Sequence, residues 1–430
     1  LAKRWIDLES ERLDLGASAG PRYRSEAGYN WLSYKEAFSP GLVRAVLDEW
    51  GNVNGPLLDA FAGSGTSLLV AAERGIDSIG VELLPYAHFV ASTLVRAHEA
   101  DADEVVDIAT HAVAAATRRS TTKPNPYTAA PAASWALSHD ATTALRGLSS
   151  ALPQRGSSPA ADLAHVALLS VVEKVSTSVK DGTSLRHRDR EREGRTKRPG
   201  RRGSLVTGEQ VRTLFAEVAQ AISEELPKLP DVGATVILGD ARRLPFKDAK
   251  IGSAFFSPPY PNRYDYSAIY QLELAVGGFV DTATDLRRVR KTLLRSHLEA
   301  PGPLTDDVDD PLVAAVLRRV ADAASGSQAG RTIRMLWGYF DDMRRVLDEH
   351  ARVMVRNAPL AVVVATQTYY GQSVPTDRLL AHMAERAGFD VKALWILRRK
   401  RVAVQQRNAA SSTGGRESIL ILRRSRRRPR

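Results

Sequence analysis

The sequence predicts a doubly wound α/β protein: a mostly parallel sheet of seven strands, two mainly helical insertions and a closing antiparallel pair at the sheet edge. Three observations point there. Short apolar runs alternate with helical-period segments from residue 40 to 97, and again from 235 to 422. A glycine-rich turn joins the first strand to its helix, as in a βαβ unit. The 430 residues, 43% hydrophobic and 25% charged, suffice for one large domain with insertions or for two domains.

Taken in order, Pro40 opens a helix with Leu42, Val43, Val46, Leu47 and Trp50 on one face. Asn54-Gly55 breaks the chain before a short strand, Pro56 to Phe61. The turn Ala62-Gly63-Ser64-Gly65 leads into a helix carrying Leu68, Leu69, Val70, Ala71 and Ala72, with Gly75 as its C-cap. A second strand spans Ser78 to Glu82, and Pro85 sits where a first helical turn tolerates proline. From about 100 to 235 the chain reads as helical, with an alanine-rich helix near 103–117 and another near 160–178.

Between Lys180 and Gly203 the composition changes. The run RHRDREREGRTKRPGRRG holds nine Arg or Lys against three acids, so it reads as a mobile, solvated basic loop. Strand Val236 to Leu238 ends at Gly239-Asp240, and strand Gly252 to Phe256 ends at Ser257. A second helical insertion, about 270–335, carries the basic segment Leu286 to Lys291. There follow a helix rich in Met and Arg, an apolar strand from Leu360 to Ala365 and a helix near 375–387 stopped by Gly388. Strands Val391 to Leu397 and Ser418 to Leu422 read as the antiparallel edge pair. The tail, 423–430, has six arginines in eight residues and is expected to be disordered.

The net charge of +11 favours a polyanionic partner, nucleic acid before an anionic membrane surface. Cysteine is absent, which excludes a disulfide framework, a thiolate metal site and a cysteine nucleophile. The first twelve residues lack a signal-peptide stretch, and no run approaches the roughly 20 apolar residues of a membrane span. A cytoplasmic protein is expected. Leu1 in place of an initiator Met reads as a trimmed or internal start.

In Leu57 to Thr66 a strand runs into a tight glycine turn at a helix N-terminus. Glycine permits positive φ and close approach of a ligand, and the helix end offers free N–H groups and partial positive charge. About twenty residues on, Glu82 closes the next strand, where an acid can accept both ribose hydroxyls of a nucleoside ligand. A packing turn or a dinucleotide site shares part of this pattern. However, position 68 is Leu rather than the third glycine of G-x-G-x-x-G, and Asp59 at the strand end is unusual for dinucleotide sites.

The segment resembles the D-x-F-x-G-x-G cofactor motif of S-adenosylmethionine-dependent methyltransferases. The resemblance implies that Asp59 lies near the methionine amino group and that Glu82 holds the ribose. The turn from Phe61 through Gly63 and Gly65 to Thr66 would cradle the cofactor. Asp240 would contact the adenine amino group; a helix N-cap is the other reading of that residue.

Phe255-Phe256-Ser257-Pro258-Pro259-Tyr260 is the most specific signal. Two prolines turn the chain rigidly and present backbone carbonyls in one direction. With the upstream turn, the segment is similar to the [D/N/S]-P-P-[Y/F/W] tetrapeptide of DNA amino-methyltransferases. The resemblance implies an exocyclic base amine as acceptor, a poor nucleophile because its lone pair is delocalised into the ring. The Ser257 hydroxyl and the Pro258 carbonyl can then accept both amine hydrogens, rotating the nitrogen toward tetrahedral geometry. Tyr260 would supply an aromatic face for a base swung out of a duplex.

That resemblance implies Ser257, Pro258, Pro259 and Tyr260 as catalytic residues, S-adenosylmethionine as cofactor and duplex DNA with a flipped base as substrate. Methylation at cytosine C5 needs a cysteine adduct and is excluded. In this family a leading serine is more typical of cytosine-N4 enzymes, so N4 is preferred and adenine N6 is the alternative. Residues 29–40, YNWLSYKEAFSP, are similar to the family's segment over the methionine end of the cofactor, with Phe38 and Ser39 as contacts; a helix cap at Ser39 is the other reading.

Asn262, Arg263 and Tyr264 offer groups for base stacking and phosphate contact, and Arg287, Arg288 and Arg290 are expected on phosphates. The likeness divides the chain into a cofactor-binding part (1–99), a helical insertion with the basic loop 180–203 (100–234) and a catalytic part (235–269). A second helical insertion (270–335), the last part of the sheet (336–422) and the basic tail (423–430) complete it. Either insertion is a candidate for target recognition. No metal or membrane partner is expected, while a cognate restriction or defence partner and the oligomeric state stay open. An RNA-base methyltransferase and a catalytically silent nucleic-acid-binding protein are the rival readings, and an oxidoreductase leaves the Pro-Pro segment without a role.

Overall fold

Side chains of the main sheet alternate between two apolar layers, and that alternation decides which helices cover which face. The computed structural model describes residues 6–17, 26–32, 34, 37–117, 126–181, 184–187, 206–231, 233–301, 310–399 and 415–426. The strands are β1 (Glu9–Glu11), β2 (Leu57–Asp59), β3 (Ser78–Glu82), β4 (Ala234–Leu238), β5 (Ser253–Phe256), β6 (Pro359–Ala365), β7 (Phe389–Arg399) and β8 (Arg416–Arg424). Their order is β1-β7-β8-β6-β5-β2-β3-β4. Neighbours pair in parallel except β8, which is antiparallel to both β6 and β7.

Leu57, Phe255, Ala361, Val363, Ile419 and Ile421 face α1 (Pro40–Trp50), whose Leu42, Val43, Val46 and Leu47 complete that layer. Leu58, Phe256, Leu360, Val362, Leu420 and Leu422 face the other way. They meet α9 (Pro311–Asp322), α10 (Ala329–Val353) and α11 (Thr376–Ala387). Each fully buried Leu or Phe contributes roughly 1.5–3 kcal/mol, so the two layers supply most of the driving force that holds the sheet. This is the doubly wound class, with helices on both faces. α2 (Thr66–Glu73) and α3 (Pro85–Val95) follow β2 and β3.

Seven strands match those expected. The eighth, β1, was not anticipated, because Glu-Ser-Glu carries no apolar alternation. It is held instead by charge: Glu9 meets Arg378 at 2.6 Å and Arg416 at 2.9 Å.

The first insertion packs α4 (Ala102–Ala116), α5 (His139–Ala151), α6 (Pro159–Val175) and α7 (Gly208–Glu225) around Val105, Leu145, Leu148, Leu163, Leu168, Val211 and Phe215. α7 starts at a capping box, Thr207 with Gln210. At its far end Glu225 accepts from Trp31 Nε1 at 2.6 Å and from the Gly28 amide at 3.0 Å, fastening the N-terminal segment.

Three expectations need correction. The stretch from Lys180 does not begin as a solvated loop: Ser178–Asp181 and Ser184–His187 form an antiparallel hairpin. Lys180 is buried, its Nζ 2.6 Å from Glu273 and 3.0 Å from Glu173, because its aliphatic stem lets it reach two carboxylates from within the core. Residues 188–205 lie outside those described. The boundary at 335/336 falls inside α10, whose buried Met335, Leu336, Tyr339, Phe340 and Met343 join the sheet layer, so α9 and α10 belong to that layer. Finally, Arg423 and Arg424 are not tail but the end of β8, where Arg424 Nε donates to the Ala351 carbonyl at 2.8 Å. Residues 427–430 lie outside those described.

Candidate active site

The sheet order reverses between β2 and β5, and in such sheets a crevice opens beyond the carboxyl ends of the strands. A cleft of about 530 Å³ lies there, within the roughly 300–1,000 Å³ usual for small-molecule sites. Of the residues expected to hold a cofactor, Phe38, Phe61, Gly63, Thr66, Glu82 and Asp240 line it. So do all four of Ser257, Pro258, Pro259 and Tyr260, together with Asn262 and Tyr264. Two motifs far apart in sequence thus share one cavity.

The glycine turn has the backbone that glycine allows. Gly63 and Gly65 adopt φ of +54° and +88°, and a Cβ on Gly63 would stand 3.1 Å from the Tyr34 ring. Glu82 braces the turn: one carboxylate oxygen accepts from the Gly63 amide at 2.8 Å. The other accepts from the Leu83 and Leu84 amides, each at 2.8 Å. Burial pushes its pKa above the usual carboxylate value against these bonds.

Asp59 is fully buried and does not reach the cleft. It accepts from the Phe61 amide at 2.9 Å and from the Ser67 hydroxyl, so it shapes the turn from beneath. Burial raises its pKa to about 7, with the Glu82 charge adding and the two hydrogen bonds opposing. Ser39 is likewise buried and caps α1, accepting from the Leu42 amide at 3.2 Å; the cap reading is the one observed. Gly65 packs on Ala91 instead of lining the cleft. No helix follows Asp240. Its carboxylate accepts from the Arg242 amide at 2.9 Å and pairs with that guanidinium at 2.7 Å, while Arg242 also reaches Asp342 at 3.1 Å.

At the other motif, the Ser257 hydroxyl lies 3.4 Å from the Tyr260 hydroxyl and donates to the Val363 carbonyl at 3.3 Å. Tyr260 donates to Glu417 at 3.0 Å, and Glu417 pairs with Arg398 at 2.6 Å. Burial, then the Glu417 charge, push the Tyr260 hydroxyl well above its ordinary value, so it stays protonated. Asn262 accepts from the Tyr264 amide at 3.1 Å.

The expected DNA contacts divide. Arg287 and Arg288 are exposed on α8 (Ala283–Thr292), Arg288 pairing with Asp285 at 2.8 Å, whereas Arg290 is half-buried and paired with Asp265 at 2.8 Å. Arg263, at φ +70°, lies over the Tyr369 ring at 5.0 Å and does not line the cleft.

Sequence reasoning missed Tyr34, the Leu293–His297 wall, Val363, Arg398 and Glu417. Tyr34 lay within a segment already singled out. Glu417 had no signal, since only the register of β7 with β8 sets it opposite Arg398 and beside Tyr260. Among the described residues, no group of three or more His, Asp or Glu could hold a metal ion, and no helix is long and apolar enough to cross a membrane.

The chain is 26% identical to the Type II methyltransferase M.BsoBI of Geobacillus stearothermophilus, over 98% of this chain and 91% of that protein. It is also 26% identical to the Type II methyltransferase M.AvaI of Nostoc sp., over 87% and 81% of the two chains. A 66-residue stretch is 36% identical to the Type II methyltransferase M.MjaII of Methanocaldococcus jannaschii, over 15% of this chain and 12% of that one. No protein-family model matches. A superposition on the rRNA methyltransferase aviRa of Streptomyces viridochromogenes, at 12% identity over 96% and 94% of the two chains, has a TM-score of 0.29, too low to carry an argument.

The relatives are Type II methyltransferases, and the two motifs resemble those of the DNA amino-methyltransferases. S-adenosylmethionine is the cofactor that goes with them. The cleft suits it: a turn whose two glycines hold positive φ, an acid at the end of β3, and partly apolar walls.

Proposed function

We propose that this relative of the DNA methyltransferases transfers a methyl group from S-adenosylmethionine to an exocyclic amine of a base swung out of duplex DNA, cytosine N4 before adenine N6. The observation that carries the reading is the meeting of the glycine turn and Ser257-Pro258-Pro259-Tyr260 in one cleft. The cofactor supplies an electrophilic methyl group. What the chain supplies is position.

Glu82 holds the turn open at the ribose end, and Gly63 and Thr66 form the cradle wall. Ser257 Oγ and the Pro258 carbonyl accept the two amine hydrogens, which localises the nitrogen lone pair and aims it. The prolines keep that carbonyl fixed, and Tyr260 gives the base an aromatic face. Developing positive charge on the nitrogen meets oxygen acceptors already in place; the surplus amine proton then passes to solvent, with the neutral thioether of the cofactor as the by-product. The leading serine favours cytosine N4, and the lack of cysteine leaves no route through C5. Arg287 and Arg288, exposed on α8, are the cations assigned to phosphates. On the same reading the cytoplasm is the location, and a cognate restriction or defence enzyme is a candidate partner.

The test is transfer of a labelled methyl group to duplex DNA by wild type and Ser257→Ala. Wild type should label the DNA, and Ser257→Ala should lose transfer while S-adenosylmethionine still raises its Tm. A labelled RNA with unlabelled DNA would move the substrate, and cofactor binding without transfer would favour a catalytically silent protein.

A further inference from the structure

We propose that Glu417 is a positioning residue that acts through Tyr260 to keep Ser257 an acceptor for the target amine. This rests on the amine-methylation reading above. The argument concerns which way a short chain of hydrogen bonds runs.

A carboxylate accepts and cannot donate. Glu417 lies 3.0 Å from the Tyr260 hydroxyl, so the tyrosine proton is committed to it. The tyrosine oxygen can then only accept from Ser257, 3.4 Å away. The other partner of Ser257, the Val363 carbonyl at 3.3 Å, also accepts only. Both neighbours therefore draw on the single Ser257 hydrogen, and the serine lone pairs are left for the cleft that Ser257 lines. With the chain reversed, Tyr260 would donate to Ser257 and occupy one of its two lone pairs, leaving a single one to meet the amine. Arg398, 2.6 Å from the second Glu417 oxygen, keeps that side chain in place across the register of β7 and β8.

The critical variant is Glu417→Gln. Arg398 is a donor only and takes the amide oxygen, which turns the amide NH₂ toward Tyr260. Tyr260 must then accept from the amide and donate to Ser257. We expect kcat to fall roughly 2- to 10-fold, the size of one weakened hydrogen bond, with the KM for DNA and the cofactor Kd unchanged. Tyr260→Phe removes the reversed donor, so Tyr260→Phe/Glu417→Gln should be more active than Glu417→Gln alone. A merely structural glutamate predicts the opposite, losses that multiply.

Glu417→Leu, an apolar side chain of similar size suited to a strand, is the second variant should the glutamine form melt too low, and Tyr260→Phe should rescue it likewise. Unchanged kcat in Glu417→Gln, or a double variant below it, overturns the proposal. A wild-type protein that methylates no DNA would instead overturn the functional reading, and this inference with it.

Discussion

Replacing Lys180 by Met should destabilise the protein sharply at alkaline pH and much less at acid pH. The side chain is 5% exposed and stands 2.6 Å from Glu273, itself 2% exposed. It also meets Glu173 at 3.0 Å and lies 4.4 Å from the centre of the Tyr270 ring. Met keeps the apolar stem and deletes the charge, leaving Glu273 buried without its cation. Breaking a buried pair in this way costs about 3–5 kcal/mol. With an unfolding entropy of roughly 2.1 cal/mol/K per residue, a chain of this length loses about 1 °C of Tm per kcal/mol, so a drop of about 3–6 °C is expected near pH 8.

The pH dependence follows from Glu273. Burial already holds its pKa above the usual 4.5, with Lys180 opposing, and removing Lys180 raises it further. A carboxylate raised in the folded state contributes its stability below its unfolded value and loses it as pH climbs through the folded value. The deficit of Lys180→Met should therefore shrink toward about pH 5. Adding Glu273→Gln should recover most of the loss. Differential scanning calorimetry across pH reads both effects. A Tm unchanged at alkaline pH would mean that Lys180 is solvated, and would refute the docked hairpin.

Three further predictions concern the cleft and the turn beneath it. Ser257→Ala should lower kcat by roughly 100-fold while cofactor affinity by titration calorimetry stays put, because the acceptor serves the amine alone; equal losses in both would contradict that role. Glu82→Ala removes the acceptor of three backbone amides at the cradle and should weaken cofactor binding about 10- to 100-fold, so an unaltered Kd would reject the ribose assignment. Asp59, with its pKa raised to about 7, contributes stability at low pH that is lost as pH rises from 3.8 through that value. Asp59→Asn should thus flatten the fall of Tm over this window, and parallel curves would show that Asp59 ionises as if exposed.

The elements that read directly from sequence are those whose pattern is local. Pro40–Trp50 and Ser78–Glu82 have the observed bounds because a proline start, an apolar stripe and a strand-ending acid are all written in consecutive residues. The Ser257-Pro258-Pro259-Tyr260 segment, which lines the cleft, was legible for the same reason. What escaped depends on partners distant in the chain. β1 owes its place to Arg378 and Arg416, and Lys180 owes its burial to Glu273. Asp59 carries the motif's identity but turns inward to Phe61 and Ser67, a direction that no spacing rule reveals. Glu417 entered the site only through strand register.

The central claim, a base amine in DNA as methyl acceptor, is tested most directly by nucleoside mass spectrometry. DNA from cells expressing the wild-type chain is compared with DNA from cells expressing Ser257→Ala. The account predicts N4-methylcytosine in the first and a strongly reduced level in the second, and N6-methyladenine would keep the chemistry but move the target. DNA free of both, or modification confined to RNA, would contradict it.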